Sequence, residues 1–171
     1  GTTDAIDTGF NVSTGTKLLQ NSASLGVYVR GNGTNGEGCD LGAFQSTNLR
    51  TSIFARYTTG TKMNLAPNSS SPTDDNTKVP GFYQTKRVTS GATTHAVRSN
   101  TVNYSASSSD VSVTRPNCTL SIGARNRQSG GANSFSDRPI AAAYAGSGNI
   151  DMEKMFKIVH GFMNLNNNVD V

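Results

Sequence analysis

Residues 121–169 read SIGARNRQSGGANSFSDRPIAAAYAGSGNIDMEKMFKIVHGFMNLNNNV. A short strand runs into a polar turn. A second strand of small residues follows, then a Gly-Ser-Gly-Asn break, then a single amphipathic helix. Met152, Met155, Phe156, Val159, Phe162 and Met163 fall at i, i+3, i+4, i+7, i+10 and i+11, the spacing of one helical face. The helix is predicted over 151–164. Asp151 stands where its carboxylate accepts from first-turn amides at the positive end of the dipole, and Ile150 is placed to fold back on Met155. Gly161 offers close approach to a strand. A lone helix of this length is marginal in water, so its apolar stripe needs burial, most simply across an edge or end of a sandwich.

Upstream of this helix nothing keeps a helical period. Residues 23–30 (ASLGVYVR) alternate, with Leu25, Val27 and Val29 on one face, and 31–38 (GNGTNGEG) is a dense turn signal. Residues 4–12, 39–44, 49–57, 118–124 and 139–144 read as further strands. In 49–57, Leu49, Thr51, Ile53 and Ala55 oppose Arg50, Phe54 and Arg56. Residues 81–89 and 94–102 form a predicted hairpin across Ser90-Gly91-Ala92. Residues 64–78 read as a loop and 104–113 as a polar connection. Strands recurring every 8–12 residues, with no longer internal repeat, argue for an all-β two-sheet antiparallel sandwich.

Composition agrees. The 171 residues suit one domain, 1–171, and only 15% are charged, with 18 glycines. The net charge of +4 comes from 15 basic and 11 acidic residues. The basic ones are scattered without a dense run, which argues against nucleic acid as a partner. No window approaches a membrane span. The first residues carry no signal-peptide pattern and no initiator Met, so the sequence reads as a piece of a longer chain. Cys39 and Cys118 lack metal-site spacing. They pair as a disulfide if their strands adjoin, or sit as two small buried residues; the second reading is favoured.

The segments IDTGFNVST (6–14), SASLGVYVRGN (22–32), LSIGARN (120–126) and SFSDRPIAAAYAGSG (134–148), followed by the terminal helix, resemble the concanavalin A-like lectin/glucanase superfamily. Within it the chain is similar to laminin-G-type jelly-roll domains of bacteriophage tail and virion proteins and bacterial surface proteins. The resemblance implies a two-sheet antiparallel jelly roll closed by a C-terminal helix. It further implies a non-catalytic domain that binds glycans or serves display, located on a virion or at the extracellular cell surface. A cell-surface glycan or another virion or surface protein would be the partner, with homo-oligomer formation in a larger assembly as a possible arrangement. In that setting the N-x-S/T sequences at Asn11, Asn32, Asn68, Asn103 and Asn117 carry no weight.

Catalytic patterns are poor. Asp7-Thr8-Gly9 matches an aspartic-protease triplet but occurs once, and Phe10 stands where a small residue is expected. Retaining glucanases need two carboxylates on one strand face. The only glutamates are Glu37 and Glu153, and Asp40, three residues beyond Glu37, would point the other way. His95 and His160 have no nucleophile elbow to serve and read as structural or solvent-facing. The chain is therefore expected not to be an enzyme. No cofactor is expected; calcium, used by many lectins of this fold, would have to come from Asp74, Asp75 and Asn76 or from Glu37 and Asp40. Arg125, Asn126, Asp137 and Arg138 read as structural: Asn126 suits a turn with positive φ, and Asp137 with Arg138 ties down the loop into the last strand.

Sugar recognition calls for an aromatic platform with polar neighbours, and Trp is absent. The expected carbohydrate contacts are Tyr57, Tyr83, Arg87 and Tyr104. Each tyrosine is also readable as an amphipathic residue half-buried at a sheet edge. Tyr83, Thr85 and Arg87 share one strand face and Phe82, Gln84 and Lys86 the other; alternation alone leaves open which is exposed.

Overall fold

The structure, a computed structural model, describes residues 4–34, 36–57, 60–65, 79–99 and 103–167, the last three by backbone alone. Among the described residues, twelve strands and one helix follow in order: β1 (Ile6–Asn11), β2 (Ala23–Val29), β3 (Leu41–Phe44), β4 (Arg50–Tyr57), β5 (Gly60–Leu65), β6 (Gly81–Thr89), β7 (Ala92–Arg98), β8 (Asn103–Ser108), β9 (Thr119–Ile122), β10 (Arg125–Arg127), β11 (Gly131–Asn133), β12 (Ile140–Gly146) and α1 (Met152–Asn167).

They build two facing sheets, as the alternating pattern predicts. One runs β12-β2-β6-β7-β8, antiparallel throughout. The other runs β1-β9-β3 and then forks. At Leu41 the far side of β3 pairs with Ile53 of β4, which continues into β5; from Gly42 to Phe44 it pairs with β10 instead. That pairing is parallel, a departure from the all-antiparallel expectation. It arises because the chain turns at Gly123, at φ 80°, between β9 and β10. Asn126, expected in a positive-φ turn, is in β10, where its side-chain amide donates to Thr119 Oγ1 at 2.6 Å.

The core lies between the sheets. Leu25, Val27 and Val29 face Leu41, Ile53, Met63 and Leu120, all of them buried. Each such side chain contributes about 1.5–3 kcal/mol of transfer free energy. Two regions differ from the sequence expectation. Residues 103–108 form the edge strand β8 rather than a connection, and Asn64 and Leu65 belong to β5 rather than to a loop. The proposed calcium loop around Asp74, Asp75 and Asn76 lies outside the described residues.

The helix lies across the outer face of the β12-β2-β6-β7-β8 sheet, not across an edge. Gln84 Nε2 donates to the Met152 carbonyl at 3.0 Å and Lys86 Nζ to the Ile150 carbonyl at 3.1 Å. Tyr28 Oη lies 3.3 Å from His160 Nδ1, and His160 stacks on Phe156. Asp151 caps the helix as expected, accepting from Lys154 N at 3.0 Å. Met152 and Met163 are buried, but Phe162, in the predicted apolar stripe, is 60% exposed, as is Ile158 at 59%. Gly161 faces open space and makes no close approach to a strand. The close approach is at Gly26, where a Cβ would stand 2.0 Å from the Tyr144 ring. Tyr144 thereby crosses β2 and donates to Gln84 Oε1 at 3.3 Å.

Behind the β3–β4 fork lies a buried ion pair. Asp40 Oδ1 accepts from Arg138 Nε and from Ser136 Oγ, each at 2.7 Å; Oδ2 accepts from Arg138 Nη2 at 3.0 Å and from Ala55 N at 2.7 Å. Arg138 also donates to the Gly38 carbonyl. Asp137 Oδ2 accepts from Thr34 N at 2.6 Å. The tie expected of Asp137 and Arg138 is present, with Asp40 as its anchor.

Candidate functional site

The four expected sugar contacts separate into three places. Tyr83 is fully buried between the sheets; its hydroxyl donates to the Val79 carbonyl and accepts from Val79 N at 3.1 Å, and burial pushes its pKa up. Arg87 is also buried: Nε donates to the Leu65 carbonyl at 3.0 Å, and Nη1 to the carbonyls of Asp110 (2.6 Å) and Ser90. It clips the end of β5 to the β6–β7 turn and to the chain after β8. Neither side chain meets solvent. The reason is topological: β6 is central in its sheet, with the other sheet on one face and α1 on the other, so neither of the two faces read from alternation is free. Tyr104, on edge strand β8, packs half-buried against the core.

Tyr57 is different. It ends β4 and lines a recess of about 160 Å³ on the outer face of the forked sheet. Cross-strand register builds the recess floor. Ser52 opposes Asn64 and Phe54 opposes Lys62, and directly opposed residues share a face. Arg50 Nε donates to Asn64 Oδ1 at 2.8 Å, and Asn64 Nδ2 donates to Ser52 Oγ at 3.0 Å. Phe54 meets Tyr57 edge-on at a centroid distance of 5.5 Å, and Lys62 Nζ sits 4.6 Å over the Tyr57 ring.

The far wall comes from β10. Arg125 lies 4.4 Å over the Phe44 ring and donates from Nε to Asn133 Oδ1 at 3.1 Å. Gly42, which pairs with Arg125, is tightly surrounded: a Cβ there would lie 2.5 Å from Cys39 Sγ and 3.3 Å from both Arg125 Cα and Ser52 Cβ. Glu37 and Ser134 complete the rim. Burial lowers the pKa of both Arg50 and Lys62, and the neighbouring Arg125 charge lowers both further. Among the described residues the recess thus presents three cations, one acid, aromatic walls and a fixed amide–hydroxyl floor.

Reading the sequence missed Arg50, Ser52, Lys62, Asn64 and Arg125 as a group. Its one local cue was the placement of Arg50 and Phe54 opposite Thr51 and Ile53; the rest depends on the fork, which joins residues some 75 positions apart in the chain (Arg50 to Arg125).

The other candidates resolve into structure. Asp7 Oδ1 accepts from Gly9 N, and Oδ2 from Thr119 Oγ1, each at 2.9 Å, so the Asp-Thr-Gly triplet is a bulged turn on β1. His95 is buried with Nδ1 unpartnered; burial first, and then the Arg87 charge, takes its pKa down to about 4. Cys39 and Cys118 are free thiols, both buried, with their pKa values pushed up by burial. Among the described residues no three of His, Cys, Asp and Glu converge, and Asp40 is committed to Arg138. No helix among the described residues is long and apolar enough to cross a membrane. No protein-family model, curated protein or solved structure matches this chain.

Proposed function

We propose that this chain is a non-catalytic attachment or display domain of a phage virion or bacterial surface protein, with the concanavalin A-like, laminin-G-type jelly roll that its sequence resembles, and that it binds carbohydrate. The observation that carries this reading is the recess beside Tyr57. There an aromatic ring, the Arg50–Asn64–Ser52 network and further cations converge on one enclosed volume. Sugar sites combine these parts: an apolar ring face for C–H surface and fixed polar groups for hydroxyls. The bound unit would be small, so single-site affinity is modest and several copies on one particle would supply avidity.

The test is a glycan array probed with the domain displayed multivalently, with and without calcium. Binding that disappears in Tyr57→Ala and persists in Tyr104→Ala supports the reading and its location. Silence across the array sinks it.

A second reading, a structural decoration module with no glycan ligand, is favoured by one observation: Ile158 and Phe162 stand exposed one turn apart on α1. It predicts a concentration-dependent mass in light scattering that Phe162→Glu returns to monomer.

A further inference from the structure

The recess carries a charge arrangement that a neutral ligand does not require. Among the described residues, Arg50, Lys62 and Arg125 line it against a single acid, Glu37. Lys62 and Arg125 are steadied by the faces of Tyr57 and Phe44, and among the described residues neither has a carboxylate within ion-pair distance. Burial is the main cause that pulls Arg50 and Lys62 below their ordinary pKa values, with Arg125 adding to both and Arg50 adding to Lys62. Cations gathered in a partly dry space repel one another and lose solvation. An anion entering that space relieves both effects.

The backbone supplies an independent observation. Ser134, on the same rim, has φ 52° and is the one non-glycine residue in the left-handed region among the described residues. Such a conformation is disfavoured for a residue with a Cβ and is concentrated at active sites and ligand clamps.

We infer that the recess takes a sugar unit bearing a carboxylate, a uronic or ulosonic acid, with Arg50, Lys62 and Arg125 around the carboxylate and the Ser52–Asn64 floor beneath the ring. This rests on the carbohydrate-binding reading above and names the class of saccharide. A guanidinium fork matches carboxylate and phosphate oxygens equally well. Glu37 decides against the more highly charged phosphate, since it places one negative charge on the same rim. A sulfate ester is the remaining monoanion, and the test separates it.

The domain, tetramerised on streptavidin, is passed over immobilised oligogalacturonate and oligosialate, their carboxyl-reduced counterparts, dextran and dextran sulfate. The expected result is binding to the two carboxylated probes that falls about tenfold or more on carboxyl reduction and weakens with added salt. Lys62→Gln should lose a similar factor with an unchanged urea midpoint. Glu37→Gln should bind more tightly, a gain that misfolding does not mimic. Equal binding to the reduced probes or to dextran overturns the carboxylate assignment and leaves the carbohydrate reading standing. Binding to dextran sulfate alone overturns it in favour of sulfate. Binding to no saccharide at all, here or on the array, removes both.

Discussion

Replacing Arg138 with Met should unfold much of this protein's stability through one contact. Asp40 is fully buried and accepts four hydrogen bonds, two of them from the Arg138 guanidinium at 2.7 and 3.0 Å. Arg138→Met leaves the carboxylate with only the Ser136 hydroxyl and Ala55 amide, and with no counter-charge from Arg138. Removing one partner of a buried pair costs about 3–5 kcal/mol, a large share of the roughly 5–15 kcal/mol that holds a domain together. Arg138→Lys keeps the charge and loses the fork, and should cost less, about 1–3 kcal/mol. Asp40→Asn combined with Arg138→Met removes both charges while an amide oxygen still accepts from Ala55; the pair should cost less than the two single changes added together, by about 2 kcal/mol. The assay is urea unfolding at neutral pH, followed by far-ultraviolet circular dichroism because the chain has no Trp. A cost below about 1 kcal/mol for Arg138→Met, or a double variant that equals the sum, would show that the pair is not the anchor its geometry indicates.

Three further outcomes follow from the same structure. His95 titrates near 4 in the fold against an ordinary 6.5, so the unfolded chain binds the extra proton between those values; stability should be at full strength above pH 6.5 and fall by about 3 kcal/mol as pH drops to 4. His95→Leu should flatten that part of the urea-midpoint profile against pH, and an unchanged slope would refute the assignment. Gly26→Ala should cost about 1–3 kcal/mol, because its Cβ meets the Tyr144 ring held against Gln84; Gly26→Ala with Tyr144→Leu should recover part of it in the same denaturation series. Cys39 and Cys118 should resist a thiol-reactive dye in the native protein and both react in urea, and a reductant should not shift the unfolding midpoint; a native molecule that yields no thiol even in urea would contradict this.

The elements visible in the sequence are those with a strong local period. β2, β4 and β6 alternate, GNGTNGEG marks a turn, and the Met and Phe repeat marks α1. β8 (NYSASS) was hidden because an edge strand with one solvated face needs few apolar residues, and Tyr104 and Ala106 are its only two. β10 and β11 were hidden because three residues carry no period at all. Tyr57 and Tyr83 look alike in the chain; what separates them is that β6 is covered on both faces while β4 ends beside a fork. The recess itself is tertiary: Lys62 on β5 and Arg125 on β10 line one space because β10 pairs with β3 beside the β4–β5 hairpin.

The position of β2 has a consequence for how the chain acquires this shape. Leu25 pairs with Thr85 on one side and Ala145 on the other, and Ile6 pairs with Ile122. During synthesis only neighbouring strands such as β4–β5 and β6–β7–β8 can close early. β2 waits for β12 with one edge open and its apolar face partly uncovered, and β1 waits for β9. Such distant ladders slow folding and leave strand edges open to other nascent chains. A chain released before β12 emerges therefore lacks one edge strand and the helix and exposes the edge of β2 and the outer face of its sheet, so yield should improve when elongation is fast relative to collisions between nascent chains.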